Sequence, residues 1–430
     1  MYRCLSRRPV PWRPSHLAAA LTARVRLGRL HYADEALVEL DLPGGRLHVT
    51  RGLGSGLARR PSDEPGILWS VGDRGPNLKV PLAVDRYGLH HLESFRAVDG
   101  VKVLPCPDIG PAISRLRIVG DRVELVQTMP IRGRSGRPIS GRPPPYSLAE
   151  ETEPALAIDG TLLLPDPSGA DTEGLAVAPD GDFWVADEYG PSLLSVAPDG
   201  VVRRRLVPEG TESWFLGADY AVDAVLPAIA ATRRLNRGFE GLTISEDGCW
   251  LYVAFQSPLA HPDLDAHRRA RHVRIWRLDA DTGMVAAQFI YPLDPPKSFR
   301  RDREQGDVDR ADIKIGEIAM LDDDRLLVLE RCSLTSKLYV VALGRDLQTA
   351  PEHIDAATRP TIEEMSANGD LEAGAPVLAK RLLLSTDDHP MVDGDLEGMA
   401  VIGPRTIILV NDNDFGIEGV KTRFWRVELG

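Results

Sequence analysis

The 430-residue chain has no apolar run approaching the ~20 residues that a membrane-spanning helix needs, so no integral anchorage in a membrane is expected. The best early apolar stretch, residues 17–21, is short and is followed by Arg24 and Arg26, which makes a poor secretory leader. Residues 1–30 are therefore expected to form a poorly ordered extension, with the chain cytoplasmic unless its true start lies elsewhere. Cysteine is scarce. Cys4, Cys106, Cys249 and Cys332 lie far apart without a CxxC pair, so neither a zinc knuckle nor a disulfide framework is expected, only isolated buried thiols. The ten histidines are scattered, which gives zinc little support. Positive charge is in deficit: 51 Lys and Arg against 63 Asp and Glu leave a net charge of −12, which disfavours nucleic acid and anionic membranes as partners. No G-x-S-x-G elbow, Walker loop or H-E-x-x-H occurs, so the familiar nucleophile, nucleotide and zincin signatures are missing.

What the chain does have is a repeat. Glu173-Gly174-Leu175-Ala176-Val177 recurs as Glu240-Gly241-Leu242-Thr243-Ile244 and Glu397-Gly398-Met399-Ala400-Val401, with a weaker copy in Gly316-Glu317-Ile318-Ala319-Met320. Each copy precedes a turn and a second apolar run ending at Val185, Val253, Val328 or Val410. Asp180-Gly181 and Asp247-Gly248 supply the positive-φ positions of tight hairpins. Such units of short strands make propeller blades. The expected fold is all-β: a single β-propeller over residues 31–430, of about six blades with seven as the alternative count. Blade one is read at residues 54–58, 67–71, 80–85 and 92–98. An irregular blade two is read around 114–119 and 123–129. Residues 220–235 and 351–367 carry helical spacing and read as short insertions between blades. A strand at 424–429 could pair with residues 24–31 and close the ring.

Strand direction then predicts a site. In a hairpin, the start of the first strand and the end of the second share one sheet edge, so these positions from all blades meet at one face near the axis. The starts are Glu173, Glu240, Glu317 and Glu397, with Ser55 at the matching place in blade one. Two positions after the last valine of each second strand stand Asp73, Asp187, Phe255, Glu330 and Asp412. Carboxylates so gathered repel one another unless a cation sits among them, and a hard, oxygen-seeking ion such as Ca²⁺ fits better than magnesium. The predicted ligands are Asp73, Glu173, Glu240, Glu317, Glu330, Glu397 and Asp412. The alternative is architectural: inner-strand glutamates can accept hydrogen bonds from backbone N–H groups of the next blade. Arg74, Arg237 and Arg331 accompany the acids, either pairing with them or holding an anionic group such as phosphate.

The strings Ser70-Val71-Gly72-Asp73-Arg74-Gly75, Asp171-Thr172-Glu173-Gly174-Leu175-Ala176, Trp184-Val185-Ala186-Asp187-Glu188-Tyr189-Gly190-Pro191, Asn236-Arg237-Gly238-Phe239-Glu240-Gly241, Leu327-Val328-Leu329-Glu330-Arg331 and Asn411-Asp412-Asn413-Asp414-Phe415 together resemble the esterase-like phytase family, in order from about Gly52 onward. That resemblance implies a propeller, usually exported, that hydrolyses phosphate or related esters. The chain departs from it in lacking a clear leader. The leading expectation is a cation-dependent phosphoric-ester hydrolase acting on a small anionic ester. Asp187 or Glu188 would be its general base, Glu240 would be both a catalytic residue and a metal ligand, and Arg74, Arg237 and Arg331 would bind substrate and stabilise developing charge. A gluconolactonase-type lactonase and a non-catalytic binding propeller are the alternatives.

Overall fold

The computed structural model describes residues 25–145 and 153–430. The expectation that residues 1–30 form a poorly ordered extension falls outside the described residues as far as residue 24, and it is corrected for the last part, because Arg26–Leu30 is a paired strand. Twenty-one strands form five sheets arranged in a ring. Blade one contains Gly56–Ala58, Ile67–Val71, Ala112–Val119 and Arg122–Pro130. Blade two contains Thr172–Val177, Phe183–Asp187, Ser192–Val196 and Val202–Pro208, extended by a parallel fifth strand, Ala221–Leu226. Blade three contains Phe239–Ile244, Trp250–Phe255, His272–Asp279 and Val285–Pro292. Lys314–Asp322, Arg325–Arg331, Ser336–Ala342 and Lys380–Ser385 make blade four. Blade five takes Leu396–Gly403, Thr406–Asn411 and Phe424–Glu428 from the end of the chain and Arg26–Leu30 from its start. The last pair is antiparallel, with Gly28 opposite Arg426, so the predicted closure forms.

Each innermost strand packs on the next, and Leu396–Gly403 returns to Gly56–Ala58. The repeated glycine makes this approach feasible. A Cβ on Gly174 would collide with the Glu240 carbonyl, and one on Gly241 would stand 2.6 Å from the Ile318 nitrogen. The turns at Gly181 (φ 98°) and Gly248 (φ 75°) adopt the positive φ their sequence demanded. Apolar residues fill the space between blades, the largest cluster running from Trp184 through Phe239, Phe255 and Trp276 to Val328.

Among the described residues the ring therefore contains five blades rather than six or seven. Residues 114–119 and 123–129 are not a separate blade. They complete blade one, with Ser114 opposite Ser70. What the sequence reading placed as blade one's outer strands is a helix, Val80–Asp85, followed by a 3-10 turn, His90–Phe95. Pro81 lacks the N–H a ladder needs and favours the first turn of a helix. This insertion, between the second and third strands of blade one, contributes Leu78–Lys79 and Lys102–Leu104 to a small sheet with Ala155–Ala157 and Leu162–Leu163. The segment 220–235, expected as helical, opens with the strand Ala221–Leu226, where β-branched Val222 and Val225 precede Pro227, and is helical only in the 3-10 turn Ala228–Thr232. The insertion at 351–367 is helical in part: Ile362–Asn368 is a helix held by a capping box between Thr361 and Glu364. Cys106 and Cys332 are free, whereas Cys249 is disulfide-bonded and not the isolated thiol expected.

Candidate functional site

Alternation along the second strands decides which acids reach the axis. Two residues after a core valine, a strand side chain points back toward the same apolar layer. Asp187 does so. Its Oδ2 accepts from Arg205 Nη2 at 2.5 Å and Ser192 Oγ at 2.8 Å, and its Oδ1 from the Asp171 N–H at 2.8 Å. Glu330 likewise turns outward, accepting from Tyr291 Oη, the Asp294 N–H and Lys380 Nζ at 2.6–2.8 Å. Neither joins the axial group, so the roles expected for Asp187 as base and Glu330 as ligand are corrected. Phe255, in the same register, packs on Phe239 and Trp276. Asp73 and Asp412 escape this alternation because their strands end at Val71 and Asn411. The side chains that do face the axis stand one residue later: Arg74, Glu188, Gln256 and Arg331.

The first strands supply Glu173, Glu240 and Glu397. Glu317 is out of step: aligned on Leu175 and Ile318, it occupies the glycine position of the repeat, and Gly316 stands where the others carry glutamate. Its carboxylate plugs the centre of the ring, accepting from the backbone N–H groups of Leu242 and Ile318 at 2.9 Å. Burial pushes its pKa well above the usual range. Glu317 is thus the architectural glutamate weighed above and is not grouped with the other acids.

Three groups of carboxylates remain, Asp73–Asp171–Glu173, Glu173–Glu188–Glu240 and Glu173–Glu397–Asp412, with oxygens in each lying within 4.8 Å of one another. Glu173 belongs to all three. Two oxygens bound to one Ca²⁺ at about 2.4 Å can be no farther apart than about 4.8 Å, so the donor set fits that ion. Burial and then mutual repulsion raise the pKa of Glu173, with Glu240 the main neighbour. Glu188 is pushed up to about 8, by burial and then by Glu240. Asp73 goes the other way: despite burial, a hydrogen bond from Asp171 and the Arg74 charge hold it below the usual range.

Polar neighbours fix this cluster. Gln256 Nε2 donates to Glu188 Oε1 at 2.7 Å and Glu240 Oε2 at 2.8 Å, while its Oε1 accepts from Arg237 Nη1 at 2.5 Å. Arg74 donates to Asp171, Glu153, Tyr189 and Asn236 and stacks on the Tyr189 ring at 4.7 Å. Those bonds occupy its donors, so Arg74 positions acids and is not free for substrate. Arg331 pairs with Asp395 at 2.6 Å and with Glu397. Asp171, Gln256 and Lys314 were not among the residues singled out in the sequence. Asp171 carried a signal all the same, since it lies two residues before Glu173 on the same strand face. The cluster is covered: Asp73, Glu173, Glu240 and Asp412 are each no more than 9% exposed. A cavity of about 240 Å³ opens at the opposite end, lined by Ala58, Val177, Ile244 and Met320.

Residues 50–415 are matched by the family model described as phytase-like, "esterase-like activity of phytase". The chain belongs to that family. This phytase-like chain is also 26% identical over 236 residues to an uncharacterized secreted protein of Arthroderma benhamiae, covering 50% of the chain but only 44% of that relative's length. Among solved structures it is similar to the PQQ-bound aldose sugar dehydrogenase of Streptomyces coelicolor (12% identity, 94% and 98% of the two chains, TM-score 0.34) and to virginiamycin B lyase of Staphylococcus aureus (11%, 95% and 100%, TM-score 0.30). No helix among the described residues is long and apolar enough to cross a membrane.

Proposed function

We propose that the axial carboxylates hold a divalent cation, Ca²⁺ by their all-oxygen character, and that the site hydrolyses phosphoric esters of small anionic substrates. The observation that carries this reading is the place of Glu173 in three carboxylate groups whose oxygens one ion could span. Asp73, Asp171, Glu173, Glu240, Glu397 and Asp412 would be the ligands. A bound cation would polarise the phosphoryl oxygen and lower the pKa of an attacking water.

The chain's own groups do the rest. Glu188, whose pKa burial and Glu240 push up to about 8 in the cation-free cluster, is the carboxyl placed beside the proposed ligands to accept and return a proton. Gln256 keeps Glu188 and Glu240 apart while facing both. Arg237 and Arg331 would stabilise the charge that develops on the phosphoryl group. Family membership supports ester hydrolysis, and the secreted relative supports export.

The test is turnover of a chromogenic phosphomonoester, inositol hexakisphosphate and a lactone, each with calcium and with chelator. Calcium-dependent phosphate release that Glu240→Gln reduces by roughly 100-fold or more supports the proposal. Lactone opening without phosphate release transfers the site to lactonase chemistry. Burial of the carboxylates favours a second reading, a structural cation in a binding propeller. Tight calcium binding with no turnover on any ester would establish that reading and overturn the first.

A further inference from the structure

The acids of the axial face are accompanied by three cationic side chains with donors to spare, and these sit together. Lys314 opens the first strand of blade four and lies directly across from Arg331, the last residue of the second strand. Gly316, two residues along, shares the face of Lys314 and leaves the room that Arg331 occupies. A Cβ there would already stand 3.2 Å from Arg331 Cδ and Nε. Arg331 is 2% exposed, yet its Nε has no hydrogen-bond partner among the described residues. Arg237 uses only Nη1, toward Gln256 and the Asn236 carbonyl. The Lys314 ammonium, partly buried, makes no hydrogen bond or ion pair with any described residue.

A buried guanidinium N–H and a partly buried ammonium without acceptors are costly to maintain unless something anionic meets them. Glu240 and Glu397 meet part of the charge, but Arg331 Nη2 lies 4.0 Å from Glu240 and its Nε faces neither. Opposing charges are thus sorted across the face. Asp73, Asp171 and Asp412 lie on the side of blades one, two and five, and Lys314, Arg237 and Arg331 on the side of blades three and four.

We infer that Lys314, Arg331 Nε and the free N–H groups of Arg237 form an oxyanion subsite that binds the phosphoryl group of the substrate, with Lys314 as a binding residue in its own right. The inference rests on the hydrolase reading above for its choice of phosphate. A tetrahedral dianion suits three donors arriving from different strands, and a guanidinium N–H and an ammonium both make charge-assisted bonds to it.

The probe is inorganic phosphate, titrated calorimetrically into the full-length protein with saturating calcium and again with chelator. Lys314→Met is expected to weaken phosphate binding by roughly tenfold or more, while calcium affinity changes little and Lys314→Arg keeps most of the phosphate affinity. Unchanged folding, read from the thermal midpoint in calcium, guards against a general defect. Equal phosphate affinity in wild type and Lys314→Met overturns the inference, as does phosphate binding that Lys314→Met and Lys314→Arg weaken alike. Lys314-dependent phosphate binding without ester turnover would leave the subsite standing and remove the hydrolase. Turnover with phosphate affinity indifferent to Lys314 would do the reverse.

Discussion

At the scale of single residues, the two copies of glutamate that look alike in the sequence separate in the fold. Glu173 touches every carboxylate group, whereas Glu317 binds backbone N–H groups at the ring centre. Glu173→Gln should therefore lower calcium affinity by roughly tenfold or more with modest loss of stability. Glu317→Ala should leave calcium affinity alone and cost about 2–4 kcal/mol in urea unfolding, because it orphans buried donors. The reverse pattern would mean the roles have been exchanged. Protonation adds a second prediction. Folding raises Glu188 from 4.5 to about 8, so the folded state holds a proton that the unfolded chain has released. Chelated protein should therefore lose stability as pH rises from about 5 to about 8, and calcium should restore more stability at the upper end than at the lower. A melting temperature flat across that window, with and without calcium, would contradict this coupling. The site was partly legible from sequence because acids are depleted in strands and stood out at repeat positions. The error lay in register. Phe255, an apolar residue among four acids, marked that position as facing the core, and the side chains one place further on face the axis.

At the scale of elements, the repeat was readable because hairpin turns and apolar runs are local. The packing reason for its glycines was not. Gly174 and Gly241 are required by neighbouring innermost strands that lie far away in sequence. Gly174→Ala and Gly241→Ala should each destabilise the protein by about 1–3 kcal/mol through overpacking, measured by chemical denaturation. Gly306→Ala, at a position with nothing within 4 Å of a new Cβ, serves as the control and should be near neutral. If all three behave alike, close strand approach is not what selects glycine. The helical spacing at 220–235 misled because Val222 and Val225 satisfy a strand as readily as a helix, and only pairing with Val202–Pro208 decides between them.

At the scale of the molecule, the count of blades was the hardest quantity to read, because the insertion after Val71 interrupts blade one and mimics a blade of its own. Pairing across that gap joins Ile67–Val71 to Ala112–Val119, a contact no local pattern announces. Closure by Arg26–Leu30 predicts that removing residues up to 30 will uncover the edge of Phe424–Glu428 and promote association, seen as larger species in light scattering. A truncated protein that stays monomeric with an unchanged melting point would show the strand to be dispensable. The same strand sets the order of events at the ribosome. Thr422 bonds to Asp34, 388 positions upstream, and the neighbouring edge strand, Arg26–Leu30, is synthesised long before its partner Phe424–Glu428. It must wait, unpaired, until almost all of the chain has emerged. The first four blades can assemble before Phe424–Glu428 is made, but the circle is completed only once it is, so a chain stalled or clipped short of that strand would retain an open, adhesive seam.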